Sequence, residues 1–399
     1  MVDPSSYQKQ SKTSEELARK KLNEAIAAYT SYLFAKSIVL EAVSEKAPRA
    51  LGPLERIMKK LDEFGECKSF LTNDPETLQK CIDEYDFKDG LLSGIFAYHT
   101  WKRTPEQIEE FTKGLEALSR GGKRAIKDLY QRFQQYRTTS VPQEDLDPRV
   151  LGIIPEIKAI KSLIFRYLEN PKDYRERVSK YLGKKPLEAR IEKGKEVESY
   201  DELRRAIKEY ALYLSYKKFA LEVVSKHIPE ALPSLVTLIE NLEEWNKYRS
   251  FSYIDKKDLK EYADKYYFMT HIMASIPEWW LSKREHTPEE IKRFTEGLEF
   301  LARKGKKIID GLYKLYKEVY RLALEDTSKG KQTISPYELE RVHASAALRI
   351  QYLLERYFRD PTEYNKYQLM KYAGLEPLDW FDRAICNLYG GCKTEKQST

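Results

Sequence analysis

The chain has 399 residues, 41 % of them hydrophobic and 33 % charged, with a formal net charge of +7. That apolar share supports a folded core, and only 17 Gly and 17 Pro leave little room for low-complexity loops. The charge permits an anionic partner without demanding one, and nothing in it is histone-like.

Along the chain, residues 1–17 read as a polar N-terminal tail. Residues 1–12 lack the apolar segment of a signal peptide, and no run approaches the length of a membrane span. The expectation is a cytoplasmic protein with no membrane partner. Lys and Glu are abundant and Cys and Met scarce, a hyperthermophile composition.

From residue 18 the apolar positions follow helical periodicity. Leu22, Ile26, Tyr29 and Leu33 share one face, and Leu203, Ile207, Tyr210 and Leu214 repeat it. Leu40, Glu41, Val43, Ser44, Pro48, Ala50 and Leu51 recur as Leu221, Glu222, Val224, Ser225, Pro229, Ala231 and Leu232. Asp83, Tyr85 and Phe87 recur as Asp264, Tyr266 and Phe268.

The clearest recurrence begins at Thr104-Pro105-Glu106. It runs through Phe111-Thr112, Gly114-Leu115-Glu116, Arg120, Gly122-Lys123 and Leu129-Tyr130. Thr287-Pro288-Glu289, Phe294-Thr295, Gly297-Leu298-Glu299, Arg303, Gly305-Lys306 and Leu312-Tyr313 follow at identical spacing. Threonine followed by proline predicts an N-cap and first helical residue, and Gly121, Gly122 and Gly305 predict a break before a new helix. Near each end, Arg166-Tyr167 recurs as Arg356-Tyr357.

These blocks predict an all-α protein: two homologous helical-bundle lobes from an internal duplication, with six or seven helices each. Roughly 65 to 75 % helix is expected, about twice the usual share. The first repeat covers 18–190, a charged linker 191–200, the second repeat 201–390 and a C-terminal tail 391–399.

No enzyme motif stands out. Arg120-Gly121-Gly122-Lys123 lacks the first glycine and the Ser/Thr of a phosphate loop. Glu340 and His343 form one Glu-x-x-His pair, whereas a di-metal bundle needs two. The reading is therefore a non-enzymatic binding protein with no cofactor, no metal and no small-molecule substrate. The cysteines Cys67, Cys81, Cys386 and Cys392 form no CxxC pair and read as buried or incidental thiols. A Cys386–Cys392 disulfide stays open.

Positive charge gathers at the predicted break. Arg120, Lys123, Arg124 and Lys127 flank it in the first repeat; Arg303, Lys304, Lys306 and Lys307 flank it in the second. Lys102-Arg103 and Lys283-Arg284 precede the two threonine caps, beside Trp101 and Trp279-Trp280. Lys329 and Lys331 add a basic loop to the second repeat only. Glycine amides with clustered cations suit phosphates, and neighbouring aromatics suit unpaired bases. Cations that merely solubilise a turn and complement a helix C-terminus account for the same residues.

The doubled Thr-Pro-Glu, Phe-Thr-x-Gly-Leu-Glu and Arg-x-Gly-Lys pattern resembles an archaeal, mainly crenarchaeal, family described as a domain of unknown function. The likeness spans about residues 20–390. It implies kinship with bilobed ribosome dormancy factors that inhibit both ribosomal subunits, with rRNA and ribosomal proteins as partners. It carries over no functional residues, because the shared motif is structural. A DNA- or RNA-binding architectural protein and a cytoplasmic protein–protein scaffold are the alternative readings.

Overall fold

The computed structural model describes residues 4–65, 67, 72, 74–99, 103–152, 154–169, 200–246, 256–283, 285–329, 335–360 and 369–370. It is 89 % helical, with no strand among the described residues, so the fold is all-α. The helices are α1 (Pro4–Lys46), α2 (Leu51–Asp62), α3 (Pro75–His99), α4 (Pro105–Thr138), α5 (Pro155–Glu169) and α6 (Tyr200–His227). They continue as α7 (Leu232–Asn246), α8 (Lys256–Leu281), α9 (Pro288–Lys304), α10 (Lys306–Ser328) and α11 (Pro336–Arg359).

The residues read as an N-terminal tail continue α1 from Pro4 onward. The proposed linker lies outside the described residues except for Tyr200, which opens α6. The C-terminal tail, Cys386 and Cys392 also lie outside them. No run was expected to reach membrane-spanning length, yet the stretch Glu16–Lys46 of α1 is long and apolar enough by composition. Its most apolar window is 61 % buried inside the protein, as in a core helix.

Helix starts follow local chemistry. Thr104 Oγ1 accepts from the Gln107 amide at 3.3 Å, and Gln107 Oε1 accepts from the Thr104 amide at 3.0 Å. Thr287 and Glu290 form the same box at 3.2 and 3.0 Å, and Ser335 and Glu338 do so ahead of α11 at 3.3 and 3.0 Å. Each box satisfies two amides that the first helical turn leaves without intrahelical partners.

The chain forms two compact units. The first comprises Met1–Pro233 with Tyr248–Met273; the second comprises Ser234–Lys247 with Ala274–Thr399. Thus α6 belongs with α1–α5, because it packs along α1. Tyr29 and Tyr85 pack 4.8 Å apart, and Tyr210 and Tyr266 pack 4.7 Å apart, in matching tilted pairs. Two buried lysines cross between these helices: Lys36 lies 5.7 Å from the Tyr210 ring, and Lys217 lies 5.2 Å from the Tyr29 ring. Lys36 also pairs with Asp62 at 2.8 Å, and the Tyr32 hydroxyl donates to the same carboxylate at 2.7 Å. The buried ammonium is thereby compensated by one carboxylate and two aromatic faces.

Cys67 and Cys81 form a disulfide with Cα atoms 5.1 Å apart, which corrects their reading as incidental thiols. Cys81 is fully buried on α3, and the bond joins it to Cys67, 14 positions earlier in the chain. That meeting depends on tertiary structure, so spacing alone does not reveal it.

In the second unit, Trp279 stacks between His286 and Phe294, each 4.2 Å away. The Tyr357 hydroxyl donates to the Gly297 carbonyl at 3.4 Å. Tyr167 does the same to Gly114 in the first unit at 3.0 Å, so the same tie holds α5 to α4 and α11 to α9.

Candidate nucleic-acid interface

The predicted breaks are present, and each is one residue wide. Gly122 adopts φ 62°, ψ −148° inside α4; Gly305 adopts φ 56°, ψ −140° between α9 and α10. Both lie in the positive-φ region that only glycine enters without strain. The basic residues are therefore carried on a sharp kink, at the same place in both series of helices.

The glycines do not form an open phosphate cradle. Gly122 and Gly305 are buried, and the Gly305 amide donates to the Leu301 carbonyl at 3.0 Å. Asn241 Nδ2 donates to the Ala302 carbonyl at 3.0 Å and covers the same helix end. Any anion at this turn would thus be held by side chains.

Those side chains are unequally available. In the first series Arg120 turns back to Glu116 at 3.0 Å, Lys123 meets Glu63 at 3.1 Å, and Arg124 lies 3.9 Å from Asp128. Lys127 is exposed with no ion pair among the described residues. In the second series Lys306 pairs with Glu244, and Lys304 lies over the Phe300 ring at 5.4 Å. Arg303 and Lys307 are exposed and unpaired among the described residues. The Lys123–Glu63 and Lys306–Glu244 pairs tie each kink to the end of α2 or α7. Exposed pairs of this kind are worth about 0–1 kcal/mol, so a phosphate can displace either acid.

The residues before the caps are placed differently. Arg103 points inward: its side chain is 10 % exposed, it stacks 4.2 Å from the Tyr98 ring, and it pairs with Glu169 at 3.4 Å. It is a packing residue, held there because the chain turns into the Thr104 cap beside α3. Lys283 is exposed and paired with Glu290. Trp279 is buried with both faces covered, and Trp280 lies 4.9 Å from His286. Lys329 is exposed and bound to Asp326 at 2.8 Å. Lys102, Arg284, Lys331 and Trp101 lie outside the described residues.

The buried histidines belong to the core. The Tyr316 hydroxyl and His343 Nδ1 are 2.9 Å apart, and Tyr320 packs 4.1 Å from the imidazole. His99 lies 4.5 Å from Phe111; burial, with Lys46 and Arg103 nearby, lowers its pKa to about 4. It is neutral in the fold.

Reading charge as runs along the chain missed the outer face of α11. Arg341, Ser345, Leu348, Arg349, Tyr352, Arg356 and Arg359 are all exposed. At the helical advance of about 100° per residue they fall within an arc of roughly 100°. Helical projection finds this face; a linear window does not, because the arginines are eight, seven and three residues apart. Comparison with known proteins yields no match among family models, curated proteins or solved structures.

Proposed function

We propose that this chain is a non-enzymatic, ribosome-binding dormancy factor. It is built from two homologous copies of one helical unit, and their basic turns contact RNA-rich surfaces of the ribosomal subunits. The observation that carries this reading is the recurring kink: the same glycine conformation presents exposed cations at the same point of both helix series. Lys123, Arg124 and Lys127 serve the first turn; Arg303, Lys306 and Lys307 serve the second. Two linked contacts raise the effective concentration of the second binding event. Phosphate contacts release counterions, so binding weakens steeply with salt.

The test is co-sedimentation of the full chain with purified ribosomal subunits on sucrose gradients at low and moderate salt. The expected result is co-migration that salt abolishes and that Lys123→Glu/Arg124→Glu and Lys306→Glu/Lys307→Glu each weaken. Equal binding to naked duplex DNA would point instead to an architectural role. Complexes that survive RNase would point to a protein scaffold. Undiminished co-migration of the fourfold variant would remove the turns from the interface.

A further inference from the structure

Among the described residues, the exposed face of α11 has no counterpart in the first series. There the matching helix, α5, is covered by its own chain. Arg166, equivalent to Arg356, donates to the Asp147 carboxylate at 3.1 Å and to the carbonyls of Glu144 and Leu146 at 2.7 and 3.1 Å. The Asp147 amide donates to Ser162 on the same helix at 2.9 Å. An arginine at this position is thus shaped to take an anionic group. On α11 the position is open: Arg341, Arg349, Arg356 and Arg359 are exposed, and none has an ion pair among the described residues.

The composition of this helix is selective. The 70 basic residues of the chain are 45 Lys and 25 Arg, yet α11 carries four Arg and no Lys. A solubilising surface has no reason to exclude lysine. A phosphate-binding surface favours arginine, whose planar fork donates two parallel hydrogen bonds and stacks on bases. From Arg341 to Arg359 the row runs about 27 Å at 1.5 Å per residue. That length suits a polyanion with regularly spaced charges. Tyr352, 66 % exposed, stands in the middle of the row, where a ring can stack on an unpaired base. A bilayer is the poorer fit: the apolar face of α11 is turned into the protein, where Ala346, Ala347, Ile350 and Leu354 are fully buried. Among the described residues of this helix, only Leu348 and Tyr352 remain outside as large apolar groups, too few for interfacial insertion.

We infer that the outer face of α11 is a binding surface for unpaired RNA, with the four arginines on phosphates and Tyr352 on a base. This deepens the ribosome-binding reading and rests on it for the choice of RNA, but it does not depend on the basic turns. The end of the row also meets a surface pocket lined by Trp279, Ser282, Lys283, His286, Glu290 and Arg359. Arg359 and Lys283 give that end of the track a second cation.

The experiment measures anisotropy of a fluorescein-labelled oligouridylate of about 20 nucleotides with the full chain, across a salt series. The variants are Arg341→Ala/Arg349→Ala/Arg356→Ala/Arg359→Ala and, separately, Tyr352→Ala. The arginine variant should lose about ten-fold or more in affinity, and its salt slope should flatten by about 3, near 0.7 per lost phosphate contact. Tyr352→Ala should lose affinity with its salt slope intact, because stacking releases no counterion. Being a single surface change, it also keeps the test valid if the fourfold variant folds poorly. Unchanged affinity in both variants, while the wild type still co-sediments with subunits, overturns the α11 surface and leaves the ribosome reading standing. A wild type that binds neither oligouridylate nor subunits overturns both. Preference for the matching DNA strand, or binding only to phosphatidylserine vesicles, overturns the assignment to RNA.

Discussion

Replacing Gly305 by alanine tests whether the kink is a built feature. The residue sits at φ 56°, ψ −140°, where a side chain costs about 1–3 kcal/mol. The new Cβ would also lie 3.2 Å from Asn241 Oδ1, so the amide must shift. That shift weakens the 3.0 Å hydrogen bond from Asn241 to the Ala302 carbonyl, worth about 1 kcal/mol. The total expected for Gly305→Ala is about 2–4 kcal/mol. Gly122→Ala meets the same backbone strain, but its nearest neighbour is the flexible end of Lys60 at 3.5 Å. It should cost about 1–3 kcal/mol, the strain alone. Urea unfolding followed by tryptophan fluorescence suits the comparison, because Trp245, Trp279, Trp280 and Trp380 belong to the second unit and only Trp101 to the first. Far-UV circular dichroism follows the helices of both units. The midpoint should fall with an unchanged slope. A Gly305→Ala protein within about 0.5 kcal/mol of wild type refutes the reasoning, since that is the range of neutral surface changes. A larger loss for Gly122→Ala than for Gly305→Ala refutes the role given to Asn241.

Three further outcomes are expected. Cys67→Ser/Cys81→Ser opens a loop of sequence separation 14 and should cost about 3 kcal/mol, read from thermal unfolding with and without reductant. Equal stability of the variant and the oxidised wild type would contradict this. His99 is neutral in the fold with a pKa near 4, against 6.5 when free. Its stabilising share is therefore present above pH 6.5 and lost as pH falls towards 4, up to about 3 kcal/mol. His99→Phe removes that share, so it should gain on the wild type by a similar amount between pH 7 and pH 4; parallel pH profiles would exclude it. Thr104→Ala and Thr287→Ala should each cost about 1 kcal/mol and add in the double variant.

Much of the fold is written locally. Thr104 and Thr287 start helices because a hydroxyl, a proline and an acid or amide meet within four residues. Gly122 and Gly305 break them because the kink needs positive φ. Both effects depend on neighbours in sequence, so both are legible there. What long-range packing decides is not. Lys36 and Lys217 look like surface lysines until α1 and α6 are laid together. Cys67 and Cys81 meet only in the folded protein. The basic turns were visible as runs of charge, but their acidic partners Glu63 and Glu244 come from other helices, and Arg103 turns inward against Tyr98. On α11 the obstacle is different: its arginines are neighbours on a cylinder and strangers along the line.

The crossed lysines bear on how the chain is held together. Each ammonium finds a ring on the other helix, Lys36 on Tyr210 and Lys217 on Tyr29, so each helix contributes to burying the other's lysine. The contact between α1 and α6 is thus made by side chains of both helices. A gene split between α5 and α6 should therefore still give one particle on gel filtration. Changing one lysine or one tyrosine should then cost more than changing it together with its opposite.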